Sequence, residues 1–136
     1  NAVFTAYTDQ KSIEKLKAKI KPKDIDLAEV HDCFAINHIL TTEALGLSED
    51  GKAGYDYMEG RFTRDDKVAV NISGGLKAKG HPVGATGASM HALIFKQLVD
   101  EPIGATLTKK KPEVGVTFNV GGSAVSNFIT VLKRVK

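Results

Sequence analysis

Residues 71–87 read NISGGLKAKGHPVGATG, with glycine at 74, 75, 80, 84 and 87 and one histidine, His81, in the densest part. Glycines at this density mark a backbone that turns sharply or lies close to something else, because only Gly takes positive φ without a Cβ clash. Ala88 to Val99 then reads as a helix. The glycines therefore deliver His81 to the mouth of a helix N-terminus, where unpaired N–H groups and the positive dipole end are available. A histidine there can move a proton or donate to a developing negative oxygen.

Working outward, a helix is expected from Asp9, as its cap, to about Ile20, with Ile13, Leu16 and Ile20 at helical spacing. Pro22 ends it. Ile25 to His31 alternates like a strand, and a helix follows from Phe34 to about Leu45, with Phe34, Ile36, Ile39 and Leu40 as its apolar stripe and Gly46 after its end. Ser48 to Asp66 is polar and reads as a surface excursion, and Lys67 to Ile72 as a short strand. The helix after His81 turns Met90, Leu93, Ile94 and Leu98 inward. Glu113 to Asn119 and Ser123 to Lys133 are expected to be strands joined by a Gly121-Gly122 hairpin. Asn1 to Thr8 has no clear pattern. The order predicts an α/β layer fold: a mixed sheet with helices packed on it and a C-terminal antiparallel pair.

The 136 residues suit one domain with its own core, and the composition, 42% hydrophobic and 26% charged, is that of an ordinary globular protein. A net charge of +3 is mild, and no aromatics interleave with the basic clusters at 109–111 and 133–136, so nucleic acid is a poor partner. No apolar run approaches a membrane span and no signal peptide opens the chain. A single cysteine, Cys33, excludes an intramolecular disulfide and a cysteine-built metal site, and suits a reducing intracellular compartment. The chain opens on Asn1 rather than Met, as a processed product or a piece of something longer would.

Three stretches place functional groups where a strand meets a helix or turn: His31-Asp32-Cys33-Phe34, Gly80-His81-Pro82 and Asn119-Val120-Gly121-Gly122. Ligands collect at such strand ends in α/β sheets. His81 either satisfies turn carbonyls or acts as a general base or oxyanion donor. Cys33 is a small buried hydrophobe or, at a helix N-terminus, an acid/base or nucleophile. His31 is an exposed strand-end residue or the holder of a catalytic water, and Asp32 reads as a cap of the helix that follows it. Gly121-Gly122 is a simple turn, or a pair of backbone donors forming an oxyanion hole. His38 and His91 receive no role. The glycine-rich stretch lacks the spacing of a P-loop.

Together these residues match a known family. The HDCF element at 31–34, Asn71-x-x-Gly74-Gly75 running into GHPVGATG at 80–87, and Gly121-Gly122 before the last strand resemble the C-terminal half of thiolases. DIDLAEVHDCF (24–34) and EALGL (43–47) are also similar, and the likeness is weakest over the first twenty residues and 48–66. The HDCF element resembles the sterol-carrier-protein type, and explains why Asn119 stands where most thiolases carry a cysteine.

The resemblance implies a half-thiolase fold with a mixed sheet of the five-stranded type. It implies thiolytic cleavage of 3-ketoacyl-CoA, or Claisen condensation of acyl-CoA, through an acyl-cysteine. By position, His81 activates the nucleophile and helps bind the thioester oxygen, His31 holds a water of that oxyanion hole, Gly121 donates to a second hole, and Cys33 handles the α-proton. Coenzyme A is a substrate, and no bound cofactor or metal is expected. The nucleophilic cysteine lies in an N-terminal half absent from these 136 residues. The chain is accordingly expected to be one C-terminal domain over 1–136, inactive alone, exposing an apolar face for that half and oligomeric when intact. Peroxisome, mitochondrion and cytoplasm all fit. The rival readings are a ketoacyl synthase half and a non-catalytic thiolase-like module that binds acyl chains or a partner.

Overall fold

The computed structural model describes residues 2–7 in backbone terms and residues 20–135 in full. The helix expected over 9–20 falls almost wholly outside the described residues. Strand β1 (Ala2–Tyr7) runs through the segment that had no clear pattern. It forms because it is paired: Ala2 faces Arg134 and Tyr7 faces Ile129 in antiparallel register. Local sequence gave no sign of this, since the partner lies at the other end of the chain.

After a 3-10 turn at Pro22–Asp24, β2 (Leu27–Val30) leads into helix α1 (Ala35–Ala44). The polar excursion carries a short helix, α2 (Ala53–Met58), where only loop was expected. Strand β3 (Ala69–Val70) is followed by a helix inside the glycine-rich stretch, α3 (Gly75–Lys79), and then by α4 (Thr86–Leu98). Strands β4 (Val114–Gly121) and β5 (Ser126–Arg134) close the chain. The sheet order is β1-β5-β4-β2-β3. Pairs β1/β5 and β5/β4 are antiparallel, β4/β2 and β2/β3 parallel, so the sheet is mixed as expected.

Alternation along β2 sends Ala28 and Val30 to one face, with Val116, Phe118, Ile129 and Val131, under Leu45 and Phe62. Leu27 joins the other face, where Ile94 and Leu98 of α4 pack with Leu107 and Leu132. Met90 and Ile94 are fully buried, and a buried side chain of that size contributes about 1.5–3 kcal/mol. Helix α1 departs from expectation. Phe34, Ile36 and Leu40 are 71%, 56% and 54% exposed, while Thr41 and Thr42 are its buried residues. The helix therefore turns its apolar stripe away from this sheet.

Polar groups tie α2 to α1. The Thr42 hydroxyl donates to His38 O at 2.8 Å, so its oxygen accepts from Tyr57 Oη at 2.9 Å, and Tyr57 in turn accepts from His38 Nε2–H at 2.7 Å. Each hydroxyl has one hydrogen, which fixes every direction in the ring of bonds. Burial pushes the Tyr57 hydroxyl up to about 12 and holds His38 below its usual range, against the opposing pull of Asp32.

The strand that carries the HDCF element is locked to the glycine-rich stretch. Asn71, buried and at φ 51°, accepts from Val30 N–H at 2.7 Å and donates to Val30 O at 3.1 Å. Asp32 Oδ1 accepts from Leu76 N–H at 2.9 Å. Asp32 thus caps a helix, but it caps α3, not α1 as expected. The reason is that α3 begins at Gly74-Gly75, which has no side chain to cap itself. Gly75 sits at φ +63°, and a Cβ there would lie 2.0 Å from Asp32 Oδ2. Only glycine leaves that space to the carboxylate.

Two outcomes follow for stability. Gly75→Ala should lose about 2–3 kcal/mol in urea denaturation, and less in an Asp32→Ala background, where backbone strain alone remains; equal costs in both backgrounds would contradict the clash. The lowered His38 means that the unfolded chain takes up a proton first as pH falls through about 6.5, so folding stability declines below that pH. His38→Gln should lose less stability than wild type between about pH 7 and pH 5, and Tyr57→Phe should cost about 1–2 kcal/mol at neutral pH.

Candidate active site

At the end of β2, backbone pairing continues for one residue: His31 N–H donates to Phe118 O at 2.9 Å. His31 is 6% exposed, so it is not the exposed strand-end residue of one sequence reading. Its Nδ1 lies 2.9 Å from Asn119 Oδ1 on β4. An amide oxygen can only accept, so Nδ1 carries a hydrogen, and in the neutral ring the lone pair is on Nε2.

His81 follows Gly80, at φ +82°, and is exposed. Its Nδ1 is 2.7 Å from Thr86 Oγ1 in the first turn of α4, and the Thr86 hydroxyl itself donates to Pro82 O at 3.1 Å. With that single hydrogen committed, His81 must donate from Nδ1, which leaves Nε2 as the basic nitrogen. The two imidazoles meet edge to face, centroids 4.9 Å apart at 82°.

Cys33 precedes the N-cap of α1, half-buried, and its Sγ accepts from Asn37 Nδ2 at 3.1 Å. The donor comes from the first turn of α1, which places Asn37 over the residue that precedes the cap.

His31, Cys33, His81, Asn119, Gly121 and Gly122 line one open cleft of about 440 Å³. All four residues singled out for chemistry, His31, Cys33, His81 and Gly121, are therefore brought together at the strand ends. The glycine turn differs in detail. Gly121 pairs with Ser126 as the last residue of β4, and the turn runs over Gly122 to Val125, with Gly122, Ser123 and Ala124 all at positive φ. Strand β4 runs to Gly121, past the expected end at Asn119, because Gly121 adopts ordinary strand backbone, and β5 begins at Ser126 rather than at Ser123.

The residues that hold the site were less visible in the sequence. Asn71, Asn119 and Thr86 fall within the quoted motifs, but nothing in their spacing shows what each one bonds. Glu29, 2% exposed, accepts from Ser73 Oγ at 2.7 Å, and Ser73 Oγ accepts from Gly75 N–H at 3.2 Å. Burial raises the Glu29 carboxyl above its usual range, with the Ser73 hydrogen bond opposing. Strand alternation would place Glu29 beside Leu27 inside, and that was the signal available. His91 ties α4 to β5: its Nδ1–H donates to Gly87 O at 2.6 Å and its Nε2 accepts from Thr130 at 2.9 Å. Among the described residues no cluster of His, Cys, Asp and Glu could hold a metal ion, and no helix is long and apolar enough to cross a membrane.

The chain is 44% identical over 117 residues to an acetyl-CoA acetyltransferase of Methanothermobacter thermautotrophicus, a match covering 86% of this chain and 30% of that protein. It is 42% identical over 109 residues to sterol carrier protein 2 of Oryctolagus cuniculus, covering 80% of this chain and 20% of the relative. The chain thus spans less than a third of the length of these relatives. A solved Ltp2-ChsH2(DUF35) aldolase shares the fold, with a TM-score of 0.73 at 19% identity over 90% of this chain and 30% of that one. The family model described as thiolase C-terminal domain-like matches residues 5–134. The match takes in every strand and helix that builds the cleft, and the chain belongs to the thiolase C-terminal domain-like family.

Proposed function

We propose that this chain is the C-terminal part of the active site of a 3-ketoacyl-CoA thiolase or acetyl-CoA acyltransferase. The observation that carries the reading is the orientation of His81: its Nδ1 is engaged by Thr86, and its Nε2 is free to accept a proton at the cleft. In the complete enzyme, His81 takes the thiol proton from a cysteine of the N-terminal half. That cysteine attacks the 3-keto carbon of the substrate, and the bond from that carbon to the α-carbon breaks. Acetyl-CoA leaves as its enolate to be protonated at the α-carbon, while the acyl-cysteine that remains passes its acyl group to free coenzyme A. His81, now carrying hydrogen at Nε2, donates to the thioester oxygen, and a water on His31 supplies the second donor. Cys33 gives or takes the proton at the α-carbon of the acyl-CoA, and Gly121 contributes a backbone N–H to the other oxyanion. The Asn37 donor on Cys33 Sγ suits that exchange, since a hydrogen bond to sulfur favours its anionic form.

The N-terminal half is the partner that this reading requires. The exposed Phe34, Ile36 and Leu40 on α1, Val83 at the cleft and Val125 in the β4–β5 turn support it, because apolar surface so concentrated is otherwise left in water. Acyl-CoA and free coenzyme A are the substrates, and a reducing intracellular compartment suits the unpaired Cys33.

In protein reunited with its N-terminal half, the two roles separate experimentally. His81→Ala should lower kcat/KM for thiolysis of acetoacetyl-CoA by about 10²–10⁴-fold and abolish acylation of the nucleophilic cysteine. Cys33→Ser should still acylate, seen as one equivalent of trapped acyl group by mass spectrometry, yet lose turnover to a similar degree. Full activity in His81→Ala would instead favour a module that binds acyl chains or a partner without catalysis.

A further inference from the structure

Two imidazoles face one cleft, and each must stay in a defined form if one is to take a proton while the other holds a water. Thr86 does this for His81. For His31 the side-chain hydrogen bond among the described residues is to Asn119, at 2.9 Å. We propose that Asn119 is a positioning residue that selects the His31 tautomer with hydrogen on Nδ1 and the Nε2 lone pair presented to a bound water. The proposal rests on the thiolase reading for its consequence in catalysis, but not for the tautomer itself.

Three observations carry it. The acceptor is an amide oxygen, which has no hydrogen to give, so the direction of the bond is settled by chemistry. The amide is also confined from behind: a Cβ on Gly87 would come within 3.1 Å of Asn119 Nδ2, so glycine at that position of α4 makes the space it occupies. Finally, Thr86 and Gly87 are adjacent in the first turn of α4, so the turn that bonds His81 through Thr86 also leaves room, at Gly87, for the amide that bonds His31.

The tautomer decides how a water sits. Against an Nε2 lone pair, the water donates one hydrogen to the ring and has the second left for the thioester oxygen. Against an Nε2–H it accepts from the ring, and its hydrogens are no longer aimed. The neutrality of the amide matters as well. A carboxylate at 119 would draw a second proton onto His31, and an imidazolium with its centroid 4.9 Å from His81 would oppose protonation of that base. An amide accepts the hydrogen bond without adding charge. The position where most thiolases carry a cysteine thus has a task of its own once Cys33 has taken over the acid/base role.

The test is long-range proton–nitrogen correlation NMR on protein labelled with ¹⁵N-histidine, the His31 signals being assigned by their loss in His31→Gln. Wild type should show a pyrrole-type Nδ1 and a pyridine-type Nε2 for His31. Asn119→Ala should move His31 to the Nε2–H form, and the isosteric Asn119→Asp should make both nitrogens pyrrole-like at neutral pH. In the reunited enzyme, Asn119→Ala should lower kcat by about ten- to a hundredfold with KM little changed. An Nε2–H tautomer in wild type, or one unmoved by either substitution, overturns the proposal. The spectra need no substrate, so the expected tautomers in a protein without thiolase turnover would leave this proposal standing and count against the thiolase reading alone.

Discussion

The site depends on one buried amide. Strand β2 ends at Val30, and beyond it the chain must leave the sheet to form the HDCF element. Asn71 accepts from Val30 N–H and donates to Val30 O, standing in for a strand neighbour that β3, only two residues long, cannot supply. Buried backbone groups left unpaired at this point would each cost about 1–3 kcal/mol. The same amide aligns the last residue before His31. Asn71 reaches this position with φ at 51°, a conformation that asparagine tolerates better than most residues.

From that latch the remaining constraints follow in sequence. Asp32, the residue after His31, fills the space where Gly75 lacks a Cβ and caps α3 through Leu76 N–H. Buried Glu29 reaches Ser73 on the same turn, which accepts from Gly75 N–H. The two motifs, separated by about forty residues of chain, are thereby stitched into one piece of backbone. Helix α3 then hands the chain to Gly80 and His81, and the first turn of α4 seizes the histidine through Thr86. The side chains that meet in the cleft are therefore few and are aimed by many, most of them uncharged.

The outward-facing surface has the opposite character. Phe34, Ile36 and Leu40 stand in solvent on a helix whose inner face is threonine. Amphipathic spacing reveals that a helix has an apolar side but not which neighbour covers it. In this chain the stripe points away from the sheet beneath, and Thr41 and Thr42 reach inward because their hydroxyls find carbonyl partners one turn back in α1.

What was legible in the sequence was legible for local reasons. Alternation marked β2, β4 and β5, helical spacing marked α1 and α4, and glycine density around a histidine marked the cleft, since each is set by residues close together in the chain. The motif order then named the family before any contact was known. The tertiary structure alone decided the rest: that residues 2–7 become an edge strand on β5, that Asp32 caps a helix 44 residues away, that Gly121 stays in the ladder while the turn moves to 122–125, and that Asn119 grips His31. These are pairings between distant segments, whose partners exist only once the sheet has formed. A hydrogen bond between such segments leaves no periodic trace in the chain, and so the sequence by itself determined which motifs meet at the strand ends, while the fold determined what holds them there.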